Sequence, residues 1–179
     1  MPKFLEDKTL KIINWILIIA SVLVAIFVGS RIIEDLMRVP GVSSMLNQLG
    51  VGPTAGLTII NIIYIIIVTL LAIFIGYTIL KIVILSAYER DYLTRTEILF
   101  IYLVSTLVAI GVGLATDFIG DFRILITTIV YLIVLFLLTN LFVKWKKGGH
   151  RKVNIHLAIY GIILLIIAMP MVRNLILIA

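Results

Sequence analysis

Two adjacent carboxylates, Glu34 and Asp35, and two histidines, His150 and His156, are the first places to look for chemistry in this chain of 179 residues. A carboxylate pair does acid–base work when both groups converge on one reacting bond. Here they sit in RIIEDLMRV, a helical pattern in which neighbouring residues diverge, and Arg31 and Arg38 stand three or four positions from each. That spacing predicts a solvated, salt-bridged face. A haem or metal held in a helical bundle needs histidines deep on facing helices. His150 falls in a basic segment, and His156 stands alone one turn into an apolar run. The glycine-rich GVGPTAG at residues 50–56 lacks the Gly-Lys-Ser/Thr ending of a phosphate-cradling loop. Cysteine is absent, which removes disulfides and thiolate metal sites. Each serine lies in a small-residue seam or a cap-like position with no histidine beside it, so no nucleophilic triad is expected. A lipid- or quinone-modifying enzyme would need Asp117, Asp121, Arg123 and Arg173 to converge. The expectation is a non-enzymatic protein without cofactor or metal.

The elements that would position any site are set by composition: 63% of residues are hydrophobic and 13% charged, outside the range of ordinary soluble domains. Apolar runs long enough to cross hydrocarbon, about 20 residues each, occur at 12–30, 57–80, 98–116, 124–143 and 155–172. These predict an all-α polytopic bundle of five transmembrane helices forming a single integral membrane domain over residues 1–179. The first run lacks a small-x-small cleavage pattern and is read as a retained span. Eleven of the lysines and arginines fall in alternate segments, against four in the others. Basic residues are retained in the cytoplasm, so the N-terminus is expected inside and the C-terminus outside, in the cell membrane. Topology and anionic headgroups then explain the net charge of +6. The basic groups are scattered among connections, so nucleic acid is not an expected partner.

Local signals refine the ends. Span one is expected to continue as a helix to Pro40, and Ser43 or Ser44 to cap a short interfacial helix through MLNQL. Span two should run to about Ser86, with Glu89, Arg90, Asp91 and Arg95 in the turn that follows. Thr94 and Glu97 fit a capping box opening span three, with Leu93 and Ile98 as its hydrophobic staple. FIGDFR is short enough to force spans three and four to be antiparallel neighbours. In KWKKGGHRK, Trp145 anchors the interface and Lys144, Lys146, Lys147, Arg151 and Lys152 are candidates for lipid headgroups. Asn154 is expected to cap span five, and the closing LILIA to lie in the interface or against a neighbour.

One nonapeptide pattern recurs. SVLVAIFVG at 21–29 returns as STLVAIGVG at 105–113 and, more loosely, as VTLLAIFIG at 68–76. Ser21, Ala25 and Gly29, then Ser105, Ala109 and Gly113, and in shorter form Ala72 and Gly76, are four apart and share a helical face. Small residues there let backbones approach where no hydrophobic effect acts between helices, so these are the predicted helix-docking positions. They suit either other integral subunits or self-association. Intramembrane threonines, tyrosines and asparagines suit interhelical hydrogen bonds, and Asn61, Thr128 and Asn140 are candidates for a narrow polar path through a small channel or carrier.

Over residues 10–147 the chain resembles the phosphate-starvation-inducible PsiE-like membrane proteins. The likeness lies in a long first span followed by RIIEDLMRV, a second apolar span, a mixed-charge turn leading into the third (YERDYLTRTEILFIYLVSTLVAIGVG), and a fourth ending in FVKWKKGGHRK. That resemblance implies a small inner-membrane protein with no established reaction.

Overall fold

The computed structural model describes residues 7–37, 41, 55–86, 93–116, 123–146 and 150–176, and side chains within 7–30, 41, 59, 61–86, 93–116, 123–146 and 154–167. Five helices follow in order: α1 (Asp7–Met37), α2 (Ala55–Ser86), α3 (Arg95–Ala115), α4 (Arg123–Trp145) and α5 (His150–Ile176). Four of them carry stretches long and apolar enough to cross a membrane: Asp7–Ser30, Asn61–Ser86, Arg95–Ala115 and Arg123–Trp145. The described apolar stretch of α5, Asn154–Ile167, is shorter. The chain is therefore an all-helical, multi-pass membrane protein by the length and composition of its helices. In hydrocarbon each backbone N–H and C=O must be satisfied internally, and an unbroken helix does this.

Several helix ends follow the sequence signals. α1 continues through Arg31 and Asp35 to Met37, and α2 reaches Ser86. The Thr94–Glu97 capping box is formed in both directions, with Leu93 and Ile98 buried. One end does not follow them. α5 starts at His150, so Asn154 lies inside the helix and is not its cap. Nothing between the paired glycines and Asn154 breaks a helix, since His, Arg, Lys and Val all tolerate one, and the first turn forms a residue-run earlier than the asparagine suggests.

The side chains of Arg31, Glu34, Asp35 and Arg38, Ser43, Ser44 and the MLNQL segment, GVGPTAG, Glu89, Arg90 and Asp91, Asp117 and Asp121, Lys147, His150, Arg151 and Lys152, and Arg173 with LILIA lie outside the described side chains.

The chain divides into two compact units, residues 16–75 and residues 1–15 with 76–179. In the first, α1 meets α2 where a Cβ built on Gly29 would come within 2.6 Å of the Ile65 Cδ1 atom. The outer faces of this unit are exposed stripes: Ile16, Ile19, Leu23 and Phe27 on α1, and Ile63, Ile67, Leu71 and Phe74 on α2. In the second unit α3 packs along α4, and α4 along α5. Its core gathers where α1 and α3 begin and α2 and α4 finish: Leu10, Leu80, Ile84, Leu93, Ile98, Phe142 and Val143 are essentially inaccessible.

Candidate functional site

The second unit holds two polar arrangements, one at each end of the α3–α4 hairpin. At the first, the capping box places the Glu97 carboxylate against the backbone of its own cap: Thr94 N–H donates to Glu97 Oε2 at 2.7 Å, and Glu97 N–H donates to Thr94 Oγ1 at 3.3 Å. The last turn of α4 brings Lys146, whose Nζ donates to the same Oε2 at 2.6 Å. The Glu97 side chain is 3% exposed and that of Lys146 23%. A carboxylate so buried is stabilised only by good hydrogen-bond geometry, and this one has a backbone donor and a cation on one oxygen. Asn14 on α1 adds a tie, its Nδ2 donating to the Thr96 carbonyl at 2.9 Å. Phe142 lies between the rings of Phe100 and Trp145, at centroid distances of 5.8 and 5.4 Å. Asp7 and Lys11 pair at 2.6 Å on the exposed first turns of α1.

Toward the other end α3, α4 and α5 border an open cavity of about 410 Å³. Hydroxyl-bearing residues line it: Tyr102 and Thr106 from α3, Thr127, Thr128 and Tyr131 from α4, and Tyr160 from α5. The threonines form hydrogen bonds back into their own helices. Thr106 Oγ1 donates to the Tyr102 carbonyl at 2.9 Å, Thr127 to Arg123 at 2.7 Å and Thr128 to Ile124 at 2.8 Å. Tyr131 and Tyr160 meet across α4 and α5, hydroxyl to hydroxyl, at 3.5 Å. Gly76 of α2 also borders the space, and the Tyr102 hydroxyl fills the place its missing side chain would take.

The small-residue positions are distributed between the units. Ser21 is buried, with its hydroxyl on the Leu17 carbonyl at 2.8 Å; Ala25 is half-buried, and Gly29 faces Ile65. Ala72 is exposed. On α3, Ser105 is buried and donates to the Ile101 carbonyl at 2.7 Å, Ala109 is buried, and Gly113 faces Thr127 of α4, whose Oγ1 would lie 2.9 Å from an added Cβ. The α3 seam is thus occupied by α4 of the same chain at Gly113.

Of the three polar-path candidates, Thr128 borders the cavity. The Asn140 amide donates to the Phe136 carbonyl of its own helix at 2.8 Å, and Asn61 belongs to the other unit. Most intramembrane hydroxyls bond within their own helix, a geometry open to Ser and Thr wherever the carbonyl one turn back is in reach. Tyr131–Tyr160 is one interhelical contact of the kind expected for that set. Among the headgroup candidates Lys144 is exposed, whereas Lys146 is engaged by Glu97.

Two relationships were not visible from sequence spacing. Glu97 and Lys146 are 49 residues apart, and Tyr131 and Tyr160 are 29 apart. The first has a sequence signal once the hairpin is assumed, because both residues stand near its open end. The second requires knowing which face α4 turns to α5. Three buried side-chain oxygens, Asn14 Oδ1, Thr139 Oγ1 and Asn154 Oδ1, have no hydrogen-bond partner among the described residues. No group of three or more His, Cys, Asp or Glu residues is placed to hold a metal ion among the described residues. Comparisons of the chain with protein-family models, with curated proteins and with solved structures find no match.

Proposed function

We propose that this is a non-enzymatic multi-pass protein of the cell membrane, with its N-terminus on the cytoplasmic side and α5 as a fifth crossing. It serves as a docking subunit, in a larger integral complex or as a homo-oligomer. The observation that carries this reading is the contrast in burial between helices of like hydropathy. None of the most apolar eighteen residues of α2 is fully buried, while 39% of the corresponding residues of α3 are. Helices in lipid associate through packing and not through the hydrophobic effect. A helix that packs so little of itself, next to an α1 with an exposed stripe of Ile16, Ile19, Leu23 and Phe27, offers a surface for a neighbour. Because the α3 seam is engaged by α4 at Gly113, the neighbour is met by α1 and α2. The PsiE-like layout supports the same picture of a small integral protein.

The absence of cysteine makes the test direct. Single substitutions Leu23→Cys and Leu71→Cys are expected to cross-link in native membranes, either into dimers or to a second protein identified by mass spectrometry. Ile133→Cys on α4 is expected to do so much less. Equal, weak cross-linking at all three positions, with a mass of one chain in mild detergent, would sink the proposal.

A further inference from the structure

We infer that the groove between α4 and α5 seats an acyl chain of an anionic phospholipid, whose phosphate is met by the basic residues at the joined ends of those two helices. Charge is unevenly shared along the chain. Residues 123–179 hold seven of the fifteen lysines and arginines and none of the nine aspartates and glutamates, while the remainder sets eight basic residues against nine acidic. The net charge of +6 therefore belongs to the α4–α5 segment, and Lys144, Lys146, Lys147, Arg151 and Lys152 fall close together within it. Glu97 engages Lys146 from α3. The other four have no acidic residue in their own segment, in contrast to the mixed charges at 3–11 and 89–97. Orientation in a membrane depends on basic residues and little on acidic ones, so topology explains these cations without explaining why no carboxylate accompanies them.

A groove of about 360 Å³ lies between the same two helices, lined by apolar side chains and Gly161. That volume is within the range of small-molecule sites, roughly 300 to 1,000 Å³. Leu135 and Leu157 are its buried part, and Ile133 and Leu137 are exposed at its lip, so it opens toward lipid. Ala158 and Gly161 make the room, since α5 presents small residues where longer side chains would fill it. Groove and cations are in register. Lys144 stands seven residues beyond Leu137, and Arg151 seven residues before Ala158. Seven residues of helix return to the same stripe after about 10 Å. Only four residues separate α4 from α5, a link short enough to make them antiparallel, so both stripes leave the groove toward the same end. Trp145, beside the exposed Lys144, suits headgroup level there. An anionic phospholipid has this layout, with a chain in hydrocarbon and a phosphate at the interface. A zwitterionic lipid brings its own cation to that level, and a soluble anion has nothing to place in the groove.

The test uses the full chain in phosphatidylcholine nanodiscs with a minor share of phosphatidylglycerol carrying a diazirine in its acyl chain. Labelled peptides are mapped by mass spectrometry, and phosphatidylcholine with the same diazirine is the control. Phosphatidylglycerol is expected to label the segments containing Leu137 and Ala158 more strongly than the control, displaced by unlabelled phosphatidylglycerol and not by glycerol 3-phosphate. Lys144→Gln with Lys147→Gln, Arg151→Gln and Lys152→Gln leaves the Glu97–Lys146 pair in place, and should lower that labelling about fivefold or more, with thermal unfolding in phosphatidylcholine unchanged. Ala158→Phe keeps every charge, fills the groove and should reduce labelling of the Leu137 segment. The inference is overturned if the two lipids label alike, if the fourfold variant or Ala158→Phe labels like the parent, or if labelling is spread evenly over the lipid-facing helices. Displacement by glycerol 3-phosphate would overturn it too, by showing a site for soluble anions.

Discussion

Where α3 begins and α4 finishes, Glu97, Ile98, Phe142 and Val143 are almost wholly buried, and Lys146 closes the assembly through a 2.6 Å ion pair. Where α3 finishes and α4 begins, Gly113 touches Thr127, but on the α5 side the same helices part around a cavity bordered by hydroxyls. One hairpin thus has a closed end and an open end. At the closed end a charge that would be intolerable in hydrocarbon has a cation and a backbone N–H to itself, and it ties the start of α3 to the end of α4. At the open end the polar groups are weak and mostly satisfied locally, so they hold the helices together little and leave room. Stability and accessible space are carried by different residues, and each can be perturbed without the other.

Substitutions should reproduce that division. The largest effect is expected from Glu97→Ala, which strands Lys146 and removes the carboxylate half of the capping box, leaving the Glu97 backbone N–H bond to Thr94 Oγ1 in place; loss of one partner of a buried pair costs about 3–5 kcal/mol. Thermal unfolding in detergent should register it, and Lys146→Met should recover part of the loss in the double variant, since two absent charges are better than one unpaired. Gly76→Ala comes next. Its methyl group would collide with the hydroxyl and ring of Tyr102, a rigid neighbour, and overpacking of this kind costs about 1–3 kcal/mol. Gly111→Ala, two residues before Gly113, meets nothing within 4 Å, and should be neutral or gain up to about 1 kcal/mol from helix propensity. A loss comparable to that at Gly76 would show that the open end is packed against something. The smallest effect on unfolding belongs to Tyr131→Phe: hydrogen bonds between membrane helices contribute about 0.6 kcal/mol on average. If it destabilised as much as Glu97→Ala, the contrast between the two ends would collapse.

The closed end was partly legible from sequence and the open end hardly at all. Thr94 and Glu97 announce a helix start because capping is local, readable within four residues. The five helices, the continuation of α1 to Met37 and the reach of α2 to Ser86 follow from runs of apolar residues, also a local property. Lys146 was read with its neighbours as one basic cluster at a headgroup. Only tertiary packing singles it out, by turning one lysine of the cluster back toward α3. The small residues were legible as places of close approach, yet their spacing carries no information on which helix approaches: Gly29 receives Ile65, Gly76 receives Tyr102, and Gly113 receives Thr127. The cavity is a property of three helices at once, and no stretch of chain encodes it alone. Asn154 shows the limit of a local signal, since a good capping residue does not start a helix when the residues before it are free to extend one.

The length of α1 has a consequence for the membrane itself. The 24-residue apolar stretch of α1, Asp7–Ser30, spans about 36 Å at about 1.5 Å each, while a bilayer offers roughly 30 Å of hydrocarbon. The surplus is met by leaning, by standing proud of the headgroups, or by stretching nearby lipid, each at fractions of a kcal/mol per Å of mismatch. The apolar stretch of α2, Asn61–Ser86, has 26 residues and a similar surplus. A thicker leaflet pair would let both rods stand upright, which makes acyl-chain length a handle on the posture of this protein.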